Sequence, residues 1–269
     1  MSHDQTELRK SAEMEFHDSR ERDRREMTHE EWIEKYPNKK WYSVTKKSQN
    51  YVDNWLQIHC KQGAKALDFG CGLGSMTIKM ATLGASTYSI DISPESVAET
   101  TRKSEELGLA SRVNAQVMDA ENMTFADDLF DVIVCSGVLH HMDVNKAFPE
   151  IARVLKPGGK VLAIEALGYN PLINLYRQKT PHLRTDWEKD HILTGRELRI
   201  AGNYFDGINV KYWHLAAIGA VLLRKTWLFR PLLAIGNVID SVILRVPGLQ
   251  KMAWQMTFVL SEPSRKIKS

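Results

Sequence analysis

The chain has 269 residues, 43% of them hydrophobic and 26% charged, and carries a net charge of +3. That is enough chain for one sizeable α/β domain with additions. It is too little positive charge for the basic stripe that nucleic-acid binding requires. Three widely spaced cysteines, Cys60, Cys71 and Cys135, form no CxxC pair; this suggests neither a zinc site nor a disulfide framework and fits a reducing, cytoplasmic compartment.

Residues 1–47 carry eleven acidic and eleven basic side chains with thinly spread apolar anchors, namely Met14, Phe16, Met27, Trp32, Ile33 and Trp41. Such a pattern predicts a helical arm, reaching to about residue 61, that is either a solvated face or a lid over a site. The first forty residues contain no secretory h-region. No run along the chain reaches the ~18–20 apolar residues of a spanning helix.

From 62 to 166, short apolar runs alternate with amphipathic stretches, the mark of repeated βα units on a parallel sheet. Strands are predicted at Lys65–Phe69, Thr87–Asp91, Val113–Met118, Asp131–Ser136 and Lys160–Glu165, and helices over 74–83, 94–107 and 144–155. Ser93 is placed to cap the second helix, with Pro94 in its first turn. Pro157-Gly158-Gly159 ends the third helix and leads into its strand. Beyond 166 the composition changes. A polar, proline-punctuated insert of about 167–205 precedes a predicted strand at Gly207–Trp213. An apolar, basic insert of about 215–250 precedes a last strand at Gln255–Ser261.

The sharpest chemical signal is Leu67-Asp68-Phe69-Gly70-Cys71-Gly72-Leu73-Gly74, where a strand gives way to a helix. Glycines at alternate positions permit a tight turn and let a ligand lie against the backbone. The following helix offers free N–H groups and the positive end of its dipole. The spacing is GxGxG. The dinucleotide fingerprint GxGxxG fails, because Ser75 and Thr77 stand where its last glycine belongs. Asp91, with Ile92 beside it, ends the next strand, where a carboxylate accepts both hydroxyls of a ribose, as in dinucleotide enzymes. Asp119-Ala120 ends the third strand and suits an adenine edge, with the carboxylate taking the exocyclic amine.

In order, LDFGCGLG, SIDIS, MDA, FDVIVCSGVLHHMD and VLKPGG resemble the class I S-adenosylmethionine-dependent methyltransferases of the ubiquinone/menaquinone-biosynthesis-like group. The resemblance covers roughly 62–166. It implies an α/β fold, a three-layer Rossmann-like sandwich with a seven-stranded, mostly parallel sheet, closed by the last two predicted strands. It implies S-adenosylmethionine as cofactor, with Asp68, Gly70, Cys71, Gly72 and Gly74 around its methionine end. Asp91 and Ile92 would hold the ribose, Asp119 and Ala120 the adenine, and Cys135 and Ser136 would pass near the sulfonium.

Methyl transfer to a hydroxyl or an activated carbon also needs a proton removed, commonly by a His or carboxylate. His140 and His141 are the first candidates, each also readable as structural, and Glu165 is the next. No Asn/Asp-Pro-Pro-aromatic tetrapeptide follows the fourth strand, which argues further against nucleic acid. Tyr169, Arg177, Arg184 and His191 are the substrate candidates; a guanidinium there suits a phosphate or carboxylate. In Leu215–Val246, apolar runs are broken by Arg224, Lys225, Arg230, Asp240 and Arg245. That pattern fits peripheral membrane contact, a greasy acceptor pocket, a dimer contact or plain core. The expected acceptor is a small or lipid-like molecule. No metal is expected. A nicotinamide oxidoreductase and a non-catalytic binding protein are the competing readings.

Overall fold

The computed structural model describes residues 3–264, the side chains of His3 and Ile33 excepted. Five parallel strands, β1 (Lys65–Phe69), β2 (Ser86–Asp91), β3 (Val113–Val117), β4 (Phe130–Ser136) and β5 (Leu155–Ala166), are followed by β6 (Phe205–Trp213) and β7 (Gln255–Pro263). They form one seven-stranded sheet of order β3-β2-β1-β4-β5-β7-β6, in which β7 runs antiparallel to both its neighbours. The predicted strands are all present, with ends shifted by a few residues. The largest shift is in β5, which starts at Leu155 and carries Pro157-Gly158-Gly159 within it.

Strand alternation builds the three layers. Leu67, Phe69, Ile133 and Cys135 point to one face and join Phe148 and Ile151 of α6 (Val144–Val154). Ala66, Val132, Val134 and Leu162 point to the other, against Val52, Trp55 and Leu56 of α3 (Lys46–His59) and Met80 of α4 (Ser75–Thr82). Every one of these strand residues is buried, and each large side chain so buried contributes about 1.5–3 kcal/mol. Helix α5 (Pro94–Glu106) starts as predicted, with the Ser93 hydroxyl accepting from the Ser96 N–H.

The chain leaves β1 toward one edge, through β2 and β3, and returns on its other side as β4. A crevice opens at the carboxyl ends of β1 and β4, where the winding reverses. Two additions cover it.

The first addition is the arm, α1 (His3–Glu26) and α2 (His29–Lys35), followed by a 3₁₀ turn at Pro37–Val44. The fully buried stripe of α1 is polar, consisting of Thr6, Arg9 and Glu13. Arg9 pairs with Glu121, Lys10 Nζ lies 2.6 Å from Asp119 Oδ2, and the Ser93 hydroxyl donates to Asp18. The arm thus lies across residues that follow β2, β3 and β4, bound by ion pairs.

The second addition comprises α7 (Pro171–Lys179), α8 (Asp186–Asp190) and α9 (Gly195–Ala201), then a 3₁₀ segment at Ala217–Leu223 and α10 (Phe229–Ile243). Asp240, buried on α10, accepts from the Ala216 N–H at 2.6 Å and the Ala217 N–H at 3.2 Å. That carboxylate fastens the 3₁₀ segment to the helix. Gly236 permits the contact, since a Cβ there would stand 2.7 Å from Ala217 Cα. Among the described residues no helix is long and apolar enough to cross a membrane.

Asp240→Ala leaves two buried N–H groups without a partner and is expected to cost about 2–3 kcal/mol. Amide hydrogen exchange at Ala216 and Ala217 checks it; unchanged protection there would exclude the carboxylate as the fastening.

Candidate active site

The glycine turn after β1 is held from three sides. Asp68, fully buried, accepts from the Thr77 N–H at 2.8 Å and the Thr77 hydroxyl at 2.6 Å, so it pins the first turn of α4 beneath the loop. Burial pushes its carboxyl up to about 6, against the two bonds from Thr77. Gly70, at φ +75°, has no room for a side chain, because a Cβ would meet Val138 Cγ2 at 2.2 Å. The β1 and β4 turns touch at that point. Gly74 is the left-handed residue before α4. Cys71 is buried, with Thr100 Oγ1 3.7 Å from its sulfur.

Asp91 Oδ2 accepts from the Gly72 N–H at 2.8 Å and Oδ1 from the Ser93 N–H at 2.9 Å. Each oxygen keeps a lone pair for a hydroxyl. Burial pushes this carboxyl above its ordinary range, against the pull of the Ser93 and Gly72 amides. Ile92, Asp119 and Ala120 are half-buried along the same rim. Asp119 Oδ1 accepts from the Glu121 N–H, and its other oxygen pairs with Lys10.

Across the crevice, Cys135 is fully buried in the core, so its backbone and not its thiol borders the site. Ser136 and Gly137 line a cavity of about 560 Å³ that continues from the crevice under the second addition. Glu165, 1% exposed, sits behind its wall. Glu165 Oε1 accepts from the Val138 and Leu139 N–H groups, both at 2.9 Å, and Oε2 lies 2.7 Å from His140 Nδ1. A carboxylate only accepts, so Nδ1 carries the proton. Nε2 is left as the basic nitrogen at the cavity wall, 3.9 Å from Glu188 Oε1. Burial works against the charged form of His140, but the charge and hydrogen bond of Glu165 outweigh it, and its pKa is raised above 6.5.

His141 is held by the arm instead. Its Nδ1 lies 2.9 Å from Glu13 Oε2, its ring stands edge-on to His17, and its carbonyl accepts from Arg9. Burial, then the charges of His141, Arg20 and His140, lower the His17 pKa well below 6.5, keeping it neutral.

Of the substrate candidates, Arg177 and Arg184 line the cavity. Tyr169 and His191 do not. The Tyr169 hydroxyl accepts from the Gly195 N–H, and His191 stacks on Trp187 at 3.5 Å on the surface. Residues His17, Arg20, Asn38, Trp41 and Tyr42 also line the cavity. The sequence carried Trp41 as an anchor and gave no signal for the others, because contact with the cavity depends on how the arm folds back.

A family profile described as a methyltransferase domain matches residues 67–163. The chain is 32% identical over 114 residues to a sterol 4-C-methyltransferase of Caenorhabditis elegans, covering 42% of this chain and 32% of that protein. It is 33% identical over 132 residues to a ubiquinone biosynthesis O-methyltransferase of Xanthomonas euvesicatoria, covering 48% and 53%. It therefore spans less than two thirds of each of these relatives. A solved geranyl diphosphate C-methyltransferase of Streptomyces coelicolor shares the fold at TM-score 0.56 and 17% identity, over 80% of this chain and 79% of that one.

The cofactor of a methyltransferase domain is S-adenosylmethionine, and the crevice fits it. A Cβ added at Gly72 or Gly137 meets nothing within 4 Å, so each turn leaves open space against its backbone. Asp91 and Asp119 stand on its rim in the order that ribose and adenine require. Asp91→Ala is expected to weaken S-adenosylhomocysteine binding about ten- to a hundredfold, the scale of a lost hydrogen-bonded charge. Calorimetric titration measures it, and unchanged affinity would remove Asp91 from the site.

Proposed function

We propose that the protein transfers the methyl group of S-adenosylmethionine to a small-molecule acceptor bound in the 560 Å³ cavity, with His140 as general base. The cofactor supplies a sulfonium methyl already activated for displacement. The chain's part is to hold the acceptor in line with it, reacting atoms ~3–3.5 Å apart, and to take the acceptor's proton. His140 Nε2 is placed for that, and the proton it gains makes an imidazolium that Glu165 stabilises. Glu165 accepts three hydrogen bonds behind the wall, so it positions His140 and is not itself the base. His141 belongs to the arm's closure. The observation that carries this reading is the Glu165–His140 pair, built where the crevice meets the cavity.

A nicotinamide reading leaves the Asp119 rim and the Glu165–His140 pair without a task. Three free, buried cysteines support a reducing, cytoplasmic setting.

A lipid-like acceptor and a peripheral membrane site are supported by the second addition. Leu172 and Leu222 line the cavity and are 76% and 82% exposed, so the cavity reaches the surface between them. Beside that mouth Trp227, Ile235, Val238, Ile239, Val242 and Val246 are exposed. Arg224, Lys225, Arg230 and Arg245 flank them, and the acid of this stretch, Asp240, is buried. An apolar face with a cationic border suits an anionic bilayer.

His140 must be neutral to act. With its pKa raised, turnover is expected to climb through an acid limb lying above pH 6.5. Glu165→Gln removes the charge that raises it, so the limb moves to lower pH while kcat falls about ten- to a hundredfold. A kcat–pH profile of both proteins decides; an identical limb would separate His140 from the chemistry. Flotation with phosphatidylglycerol vesicles tests the membrane face. The wild type should float and a Trp227→Glu/Val238→Glu variant should stay in the dense layer, and equal behaviour would sink the interfacial reading.

A further inference from the structure

Four of the residues that line the cavity each carry a buried polar atom that the protein itself leaves without a partner. Arg20 Nε, Trp41 Nε1, the Tyr176 hydroxyl and Asn38 Oδ1 are all buried and make no hydrogen bond. A buried polar group in that state costs about 1–3 kcal/mol, and few native groups are left so. Here four belong to one cavity. They come from three separate elements: α1, the 3₁₀ turn at Pro37–Val44, and α7. Trp41 and Tyr176 meet edge to face at 5.3 Å, and the Lys40 ammonium lies 5.3 Å and 5.8 Å from their ring centres.

Three of the four are donors, and cations outnumber acids among the residues that line the cavity. Arg20, Arg177 and Arg184 line the cavity, and Glu188 is the carboxylate in its wall. Glu188 is engaged, lying 3.4 Å from Arg184 Nε and 3.9 Å from His140. Arg177 Nη1 donates to the Leu167 carbonyl and to Asn174, which fixes its position without neutralising it. Burial, then the charge of Arg184, presses its pKa down to about 10. Lys39, on the same turn as Asn38, is pressed down to about 8 by burial and by Arg20 and Arg24. Glu21 lies near Arg20, Arg24 and Lys39, and Glu188 beside Arg184, while the cavity lining itself carries three arginines to one carboxylate. Elsewhere the wall is apolar, with Ile173, Leu215, Ile218 and Leu222 leading to the mouth.

We infer that the acceptor is an anionic amphiphile. A phosphate or carboxylate oxyanion takes the hydrogen bonds of Arg20, Trp41 and Tyr176, and its apolar body runs toward Leu222. Asn38 Oδ1 then takes a hydroxyl adjoining the anion. This rests on the reading of the cavity as the acceptor site and names the chemistry of its occupant. It assigns Arg20, Trp41 and Tyr176 as specificity-determining residues.

The test is calorimetric titration of the full chain with S-adenosylhomocysteine and, separately, with decyl phosphate below its micelle-forming concentration, decanol and inorganic phosphate. Decyl phosphate should bind at least about tenfold more tightly than either of the others, the scale of one charge-assisted hydrogen bond. Arg20→Gln should erase that preference over decanol. Tyr176→Phe, which removes one polar atom and keeps the ring, should reduce it about threefold or more with the melting temperature unchanged, and Trp41→Phe, which removes the indole N–H and keeps an aromatic ring, should reduce it as much. Equal binding of decanol would overturn the anionic head. Equal binding of inorganic phosphate would overturn the apolar body. A preference untouched by these two variants would place the anion elsewhere and overturn the site. If decyl phosphate binds selectively and S-adenosylhomocysteine does not, the methyl-transfer reading fails and the anion site stands.

Discussion

The buried carboxylate of Glu165 is the constraint on which the site depends. It ends β5, yet its two oxygens serve the turn after the neighbouring strand, taking two backbone N–H groups and one imidazole. Without it, three donors would be left inside a dry wall, at a cost of a few kcal/mol. With it, the β4 turn is set against Gly70, the crevice keeps its width, and His140 presents one defined nitrogen. One side chain thereby ties the geometry of the cofactor crevice to the protonation of the group facing the acceptor.

The additions are fastened in opposite ways. The arm is bound to the sheet's carboxyl edge by ion pairs, with Arg9 and Glu13 buried in the contact. The distal helix α10 is apolar on the outside and held from within by Asp240. Between them lies a cavity whose charges come from both, Arg20 from the arm and Arg177, Arg184 and Glu188 from the second addition, with Leu172 and Leu222 at its mouth.

The sheet was legible because its signals are local, and so are the patterns that mark the candidate cofactor residues. Strand alternation, a glycine turn and carboxylates at strand ends are written in stretches of five to eight residues, and every strand appeared where those patterns lay. The inserts were legible only as changes in composition. The docking stripe of α1 could not be read as one, because Thr6, Arg9 and Glu13 show no apolar period and look like any solvated helix face. Glu165 looked like a residue at a strand mouth; only the fold shows that the turn after β4 closes over it. Tyr169 and His191 lie close to Arg177 and Arg184 in sequence, yet the one is engaged by the Gly195 N–H and the other by the Trp187 ring. Trp41, seen at first as an anchor, proves to bring an unpartnered indole N–H to the cavity.

Glu13 has a double attachment whose meaning is thermodynamic. Its carboxylate reaches His141, beside the crevice, and the Thr185 hydroxyl, under the second addition. One side chain of α1 therefore belongs to both contacts, and a displacement of the helix disturbs the two together. Two ligands that each favour the docked helix are linked even where they never touch: by reciprocity of binding free energies, each gains as much affinity as it confers.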